Sequence, residues 1–300
     1  MEDLKKIQDL YRNKVNIIQY LKNKNKNDIN TREEIMISYD LQAGSYIKET
    51  ISNPEWGNRY SNALSDVLNK LGYYDSILEV GVGEATTLIN VLLKLLNIPS
   101  NIFGFDISYS RIRYAIKYVK KYNINNINLF ISDLFNTAFL DNSIDIVYSS
   151  HSLEPNRGRE KEALIELYRI TKKYLVLFEP AYEFASEKLK NYMDYHGYVR
   201  NIWKSAEELG YKVVEHKLIF KDNPKSLNNT AVTVIEKNKI LRNETKSFLA
   251  CPISKRPLNI IRGNYYCSDS LLLYPIIDNI PCLLPENAVI ATHYLEEISL

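Results

Sequence analysis

Residues 77–87 read Ile-Leu-Glu-Val-Gly-Val-Gly-Glu-Ala-Thr-Thr, and this stretch decides the fold class. The short, mostly apolar run at residues 77–80 predicts a buried strand, and a helix is expected to open near Thr86. Between them, Gly81 and Gly83 predict a tight turn, because glycine adopts positive φ and lets the backbone approach a ligand closely. The stretch therefore predicts a strand–turn–helix unit of the kind that binds a nucleotide-type cofactor.

Short apolar runs and helical segments alternate along the middle of the chain. Helices are predicted at residues 110–122 and 159–171, and a further helix ends near Gly210. This alternation predicts a parallel sheet covered by helices on both faces, which is an α/β fold. The predicted strands are residues 77–80, 102–105, 128–131, 144–148, 174–178, 212–220 and 230–236.

The overall composition narrows the class of protein. Lysine plus arginine number 38 and aspartate plus glutamate number 36, so the net charge of +2 argues against a nucleic-acid partner. Three cysteines are too few for a disulfide framework and favour a reducing cytoplasm, and the charged start predicts no signal peptide. The most apolar stretch, residues 88–98, is shorter than the ~20 residues that a membrane span needs, so no membrane partner is predicted.

The glycine turn can be compared with two cofactor motifs. A dinucleotide fingerprint requires a third glycine where Thr86 stands, which weakens that interpretation. The stretch instead resembles the first motif of class I S-adenosylmethionine-dependent methyltransferases, with Glu79, Gly81 and Gly83 matching and Ala85 departing at the last glycine. The resemblance covers about residues 60–236. It implies a doubly wound, mostly parallel seven-stranded sheet and S-adenosyl-L-methionine as the cofactor.

Further marks of this family follow along the chain. Asp106 ends the second predicted strand, where the family's acidic residue accepts both ribose hydroxyl hydrogens in charge-assisted hydrogen bonds. Asp133 follows the third strand, where the resemblance implies contact with the adenine amino group, and Asp145 belongs to the fourth-strand pattern. The residues predicted to bind the cofactor are Tyr39, Tyr46, Glu79, Gly81, Gly83, Asp106, Ile107, Asp133, Leu134 and Ser150.

Candidate catalytic residues follow the fourth strand, since open parallel sheets bind ligands beyond their carboxyl ends. Residues 148–156 read Tyr-Ser-Ser-His-Ser-Leu-Glu-Pro-Asn, which brings His151 and Glu154 close together. Methyl transfer needs mainly proximity and orientation, with a base only when the acceptor must lose a proton. We predict His151 as base or acceptor-positioning residue, with Glu154 beside it and His196 as a second base. The alternatives are a packing histidine and a glutamate that orients the loop.

The amino-terminal region reads as helical. Residues 1–29 predict a helix followed by a polar tether at 22–27, and residues 34–72 carry a second helical pattern. Residues 38–46 resemble the lid of small-molecule methyltransferases, which would exclude water from the reaction. In such a lid Tyr39 and Tyr46 contact cofactor or acceptor, the alternative being core packing. We predict a lid at residues 1–60 and a cofactor-binding domain at residues 61–238.

The last part of the chain, residues 247–300, predicts a small β-rich module, closed by a short helix within residues 286–300. Residues 247–286 resemble the zinc-ribbon activator subunit of tRNA and release-factor methyltransferases, whose two Cys-x-x-Cys pairs would supply four thiolates. Here Cys251 and Cys267 remain, while Ser254 and Ser270 occupy the second positions. Serine is a poor zinc ligand, so no metal is predicted. We expect the module to pack on the methyltransferase and to organise the lid, the acceptor pocket or a homodimer contact.

These patterns together predict a methyltransferase that acts on oxygen or nitrogen of a small-molecule acceptor, such as a sugar or another biosynthetic intermediate. Two alternatives stay open: an RNA or protein methyltransferase with a fused activator-like module, and a catalytically silent cofactor-binding scaffold. The Asn/Asp-Pro-Pro-Tyr/Phe motif typical of amino methylation on bases and glutamine is missing, and residues 148–151 stand in its place. Its absence and the balanced charge both argue against the RNA acceptor.

Overall fold

A central seven-stranded sheet organises the computed structural model, which describes residues 3–220, 229–238 and 247–296. The strand order is β3-β2-β1-β4-β5-β7-β6, with β7 antiparallel to its two neighbours and the other pairs parallel. This confirms the predicted doubly wound, mostly parallel sheet. The strands are β1 (Ser76–Val80), β2 (Asn101–Asp106), β3 (Ile127–Ile131), β4 (Ile144–Ser150), β5 (Thr171–Pro180), β6 (Lys212–Phe220) and β7 (Thr230–Glu236).

Helices cover both faces of this sheet because successive strand residues point to opposite sides. In β4, Ile146 and Tyr148 join one hydrophobic cluster while Val147 joins the other. No helix in the described ranges is long and apolar enough to cross a membrane. The helices are α1 (Leu4–Arg12), α2 (Ile17–Asn25), α3 (Arg32–Leu41), α4 (Ser45–Ser52), α5 (Pro54–Asn69), α6 (Thr86–Leu92), α7 (Tyr109–Val119), α8 (Glu160–Ile170), α9 (Glu187–His196) and α10 (Ile202–Glu208).

The prediction of a polar tether at residues 22–27 is wrong for residues 22–25, since α2 continues to Asn25. Tertiary contacts outweigh the polar sequence there. Leu21 is buried in a small cluster with residues of α1, and the side-chain amides of Asn25 and Asn27 donate to Oε1 of Glu34 at 3.0 and 2.8 Å. The lysines and asparagines that suggested a tether therefore form the outer face and the end of a packed helix.

The carboxyl-terminal module is β-rich, as predicted. Its four-stranded sheet has the order β13-β10-β9-β8, and β11 and β12 form a separate antiparallel pair. The prediction of a short closing helix is wrong within the described residues. Pro285–Asn287 form a single 3₁₀ turn, and the chain then pairs with β10. Residues 297–300 lie outside the described ranges. The strands are β8 (Asn259–Ile261), β9 (Asn264–Cys267), β10 (Leu272–Tyr274), β11 (Ile276–Ile277), β12 (Ile280–Pro281) and β13 (Val289–Ile290).

The module docks beside β3, the edge strand of the large sheet. The backbone N–H of Leu283 donates to the carbonyl of Ile131 at 3.0 Å, and that of Ala250 donates to the carbonyl of Ala138 at 3.0 Å. Lys255 Nζ donates to the carbonyl of Thr137 at 3.0 Å. These bonds satisfy polar backbone groups at and beyond a sheet edge that would otherwise need water or another chain.

Candidate active site

A cavity of about 440 Å³ lies at the carboxyl ends of β1, β2 and β4, where the strand order reverses direction. This is the position at which open α/β sheets bind ligands. The chain folds most of the predicted site residues around it. Those lining the cavity are Tyr39, Tyr46, Gly81, Asp106, Ile107, Asp133, Leu134, Ser150, His151 and Glu154.

The glycine turn lies so close to the loop after β4 that its first glycine, Gly81, has no room for a side chain. Gly81 has φ +63°, and a Cβ atom added there would lie 2.3 Å from Cβ of Ser152 in the loop after β4. Gly83 has φ +54°, and its added Cβ would lie 3.1 Å from the ring of Tyr46. Both glycines thus keep a narrow cradle open between the turn, the β4 loop and the lid.

Asp106 at the end of β2 is rigidly held. Its Oδ2 accepts from the backbone N–H of Gly83 at 3.0 Å, and its Oδ1 accepts from that of Ser108 at 2.9 Å. Burial raises the pKa of Asp106, although the charge of Arg111 and the two N–H groups act in the opposite direction. Each carboxylate oxygen keeps a free lone pair. The side chain is therefore placed to accept two further hydroxyl hydrogens from a ligand in the cavity.

Two acidic residues of the sequence motifs lie away from the cavity wall. Glu79 is buried beneath the glycine turn, where Tyr148 donates to its Oε2 at 2.8 Å, and burial raises the pKa of Glu79 to about 8. Asp145 lies near the amino end of β4 and accepts from the backbone N–H of Asp75 at 2.8 Å. Glu79 therefore supports the turn from behind, and Asp145 ties two strands together at the opposite end of the sheet.

Asp133 is joined to a residue that the sequence did not single out. Its Oδ1 accepts from the backbone N–H of Phe135 at 2.9 Å, and its Oδ2 lies 2.5 Å from Nε of Arg32 at the start of α3. Arg32 also lines the cavity. A lone arginine at the start of a helix carries no motif, so only the fold could reveal this contact.

Glu84 forms a latch between the glycine turn and the amino end of α4. Its buried carboxylate accepts from the backbone N–H groups of Gly44 and Ile47, both at 2.8 Å, at the amino end of α4. Arg111 Nη1 donates to the same carboxylate at 3.1 Å, and the guanidinium lies 4.0 Å from the centre of the Tyr46 ring. A carboxylate at a helix amino terminus is favourable because the free N–H groups carry partial positive charge. This latch holds the ring of Tyr46 over the glycine turn.

His151 and Glu154 meet, as the sequence predicts. His151 Nδ1 lies 2.5 Å from Oε2 of Glu154, and its Nε2 lies 2.8 Å from Oγ1 of Thr230 on β7. Because a carboxylate only accepts, Nδ1 carries the proton and Nε2 of the neutral ring accepts from the threonine hydroxyl. Burial by itself lowers the pKa of His151, but the hydrogen bond and charge of Glu154 and the charge of Glu179 outweigh it and raise the pKa.

The loop that carries this histidine is fixed by Glu179 at the end of β5. Oε1 of Glu179 accepts from the backbone N–H groups of Ser152 and Leu153, both at 3.1 Å. Burial raises the pKa of Glu179 to about 7. His151 itself has φ +55°, an uncommon conformation for a residue with a side chain. The two hydrogen bonds offset this local strain, so the loop is a fixed part of the site.

His196 is the one predicted catalytic residue that the structure does not bring to the cavity wall. It ends α9 and lies behind two tyrosines that do line the cavity, with ring centroids 4.3 Å from Tyr192 and 5.6 Å from Tyr198. Burial lowers the pKa of His196. Its carbonyl accepts from the side chain of Asn30 at 3.1 Å, which ties this region to the lid. His196 thus acts as a support for the aromatic wall.

Comparison with known proteins agrees with this geometry. Residues 77–174 match the family model of a methyltransferase domain. The chain contains a methyltransferase domain. Among curated protein sequences, none matches this chain.

Solved structures with the same fold include a chain of the complex between the Haloferax volcanii Trm112 methyltransferase activator and a methyltransferase. It is 16% identical, with 67% of this chain and 98% of that chain covered and a TM-score of 0.51. A SAM-dependent methyltransferase from Aquifex aeolicus is 18% identical over 57% of this chain and 88% of that chain, with a TM-score of 0.44. A sarcosine dimethylglycine methyltransferase from Galdieria sulphuraria is 13% identical over 60% and 85%, with a TM-score of 0.49.

Proposed function

We propose that this methyltransferase acts on a hydroxyl oxygen of a small-molecule acceptor and that His151 is its general base. The observation that carries the proposal is the pair of contacts at the histidine ring: Glu154 fixes the proton on Nδ1, and Nε2 lies beside a hydroxyl on the cavity wall. An oxygen acceptor needs a base, whereas a neutral amine already has its lone pair available. Among the nitrogen and oxygen acceptors that the sequence left open, this arrangement favours oxygen.

The residues around the cavity fit the cofactor. The turn at Gly81 and Gly83 would receive its amino-acid part, and the carboxylate of Asp106 would accept both ribose hydroxyls. Ile107 and Leu134 would pack on the adenine, with Asp133 at its polar edge and Ser150 at the end of β4. When bound, S-adenosyl-L-methionine supplies the electrophilic methyl group. Glu79 would stabilise the turn without touching the ligand.

The His151–Glu154 pair would take up the proton that the acceptor hydroxyl loses. As the acceptor hydroxyl replaces that of Thr230 at Nε2, its proton moves to Nε2 and the ring becomes an imidazolium. The carboxylate of Glu154, 2.5 Å from Nδ1, stabilises this positive charge. The raised pKa of His151 favours uptake of the proton. Tyr46, held by the Glu84 latch, and Tyr39, whose carbonyl accepts from Nε of Arg111 at 3.0 Å, would exclude water from the cavity during this step.

The carboxyl-terminal module supports the interpretation as a zinc ribbon without its metal. The four ligand positions converge: Ser254 Oγ lies 3.6 Å from Cys267 Sγ and 3.3 Å from Ser270 Oγ, and Ser270 Oγ lies 3.7 Å from Cys251 Sγ. Tyr274 OH lies 3.2 Å from Cys251 Sγ. We propose that these hydrogen bonds stabilise the module as a bound zinc ion would in a zinc-bearing ribbon. The buried free cysteines are also in keeping with a reducing cytoplasm.

The proposal is tested by labelled methyl transfer from S-adenosyl-L-methionine into small-metabolite, RNA and protein fractions of the source cell. We expect label in the small-metabolite fraction, and a loss of about 100-fold or more when His151 is replaced by alanine while cofactor binding is kept. The exposed His293→Ala variant serves as the matched control and should keep full activity. Label in RNA or protein would contradict the acceptor class, and cofactor binding without any transfer would favour a scaffold.

A further inference from the structure

The carboxyl-terminal module reaches the edge of the cofactor cavity through one short turn. Cys282 forms a parallel bridge with Ile131, and Leu283 donates its N–H to the carbonyl of Ile131. Ile131 ends β3 only two residues before Asp133. The 3₁₀ turn Pro285–Asn287 follows directly, so the backbone fixes the position of Glu286 beside Asp133.

Arg32 of the lid lies between these two carboxylates. Its Nη2 donates to Oε1 of Glu286 at 2.7 Å, while its Nε lies 2.5 Å from Oδ2 of Asp133. The arginine and Asp133 both line the cavity, and the inference rests on the proposed function, in which the adenine binds at this end. Three parts of the chain that are remote in sequence therefore meet in one ion-pair chain: the lid, the loop after β3 and the carboxyl-terminal module.

We propose that Glu286 is a positioning residue for the cofactor, which holds Arg32 across the adenine end of the cavity. An arginine side chain that is 31% exposed has several rotamers available to it, and a second carboxylate reduces them. Asp133 by itself would leave the Nη groups free to turn toward solvent. The carboxyl-terminal module thus contributes to cofactor affinity through a side chain that never touches the cofactor.

The ion pair between Arg32 and Glu286 is not needed for docking of the module. A change in cofactor affinity can therefore be distinguished from a folding defect. Backbone hydrogen bonds at Ile131, Ala138 and Leu140 already attach the module to the large sheet. Lys255 of the module adds an ion pair to the large domain, with its Nζ 3.2 Å from Oε1 of Glu166. Loss of the half-exposed Glu286 carboxylate should therefore leave the module in place and change only the freedom of Arg32.

Calorimetry on the full-length protein measures this effect without any need for an acceptor. For Glu286→Gln we expect the dissociation constant of S-adenosyl-L-methionine to rise about two- to fivefold, as for loss of one partly exposed ion pair. The same factor should appear with 5′-methylthioadenosine, which lacks the amino-acid part, because the change lies at the adenine end. Asp278→Asn is the matched control: this module residue accepts from Tyr109 OH at 3.0 Å, outside the cavity, and its loss should leave both constants unchanged.

A double-mutant cycle distinguishes positioning of the Arg32 side chain from a general loosening of the module. In an Arg32→Met background, Glu286→Gln should have no further effect on either dissociation constant, because its partner is gone. An unchanged constant in the single Glu286→Gln variant would overturn the proposal. So would an equal loss in Asp278→Asn, or a Glu286→Gln effect that persists in the Arg32→Met background.

Discussion

His151 Nδ1 lies 2.5 Å from Oε2 of Glu154, three residues along the same loop, and the carboxylate fixes which ring nitrogen carries the proton. A second His–Glu pair with the same spacing, His293 and Glu296, lies exposed in the carboxyl-terminal module at 2.8 Å. The two pairs differ in burial, and only the first lines the cavity. The chain therefore contains its own internal control for the proposed catalytic pair.

Replacement of Glu154 by glutamine should slow the reaction and move its pH dependence. Glu154 raises the pKa of His151 against the effect of burial, so its loss should lower that pKa. A base is active when deprotonated, so the half-maximal rate on the acid side should move to lower pH. We expect kcat/KM to fall about 10- to 100-fold at its plateau. In a pH–rate profile, Glu296→Gln should match the wild type, and an unmoved acid limb in Glu154→Gln would exclude His151 as the base.

Glu79 should make the protein less stable as the pH rises. The pKa of this buried carboxyl is raised from 4.5 to about 8 in the folded chain. Its contribution to stability is therefore complete below about pH 4.5 and is lost progressively until about pH 8. Glu79→Gln keeps an acceptor for Tyr148 OH and cannot ionise. In urea unfolding, the variant should equal the wild type at pH 4 and exceed it by at least about 2 kcal/mol at pH 9; equal stability at both values would contradict the burial argument.

Gly81→Ala should remove the cofactor site, whereas Gly72→Ala should only strain the backbone. Both glycines have positive φ, but the Cβ added at Gly81 meets Ser152 at 2.3 Å while nothing lies within 4 Å of the one added at Gly72. We expect Gly72→Ala to cost about 1 kcal/mol of stability with cofactor affinity unchanged. For Gly81→Ala, calorimetry should show cofactor affinity reduced at least about tenfold. Wild-type affinity in that variant would mean that the β4 loop is not fixed.

Restoring two cysteines should create a zinc site in the carboxyl-terminal module. The side chains of Cys251, Ser254, Cys267 and Ser270 already converge, so Ser254→Cys combined with Ser270→Cys would supply four thiolates. Metal analysis of the double variant should find one zinc ion per chain, and chelator treatment should lower its melting temperature. The wild-type protein should contain no stoichiometric zinc and should be indifferent to chelator. A zinc ion in the wild type would refute the metal-free interpretation.

The fold class and most of the cavity wall could be predicted from the sequence because they depend on local patterns. Alternating strands and helices predict a parallel sheet, and the turn at Gly81 and Gly83 lies where open parallel sheets bind ligands. Asp106 and Asp133 follow their strands directly, so strand order alone brings them to one edge. The same reasoning placed His151 and Glu154 together, since they are only three positions apart in one loop.

Contacts between distant segments were decided by the tertiary structure alone. Arg32 and Glu286 lie in no recognisable motif, and Glu84 occupies a variable position of the glycine turn. Their roles arise because separate parts of the chain bring opposite charges together. Packing also set which motif residues face the ligand: Glu79 and His196 carry the expected chemistry but lie one layer behind the cavity. Sequence spacing fixes which residues share an edge of the sheet, whereas the side on which a side chain is buried depends on neighbours far away in the sequence. Glu79 and Tyr148 are 69 positions apart, and His196 and Asn30 are 166 positions apart.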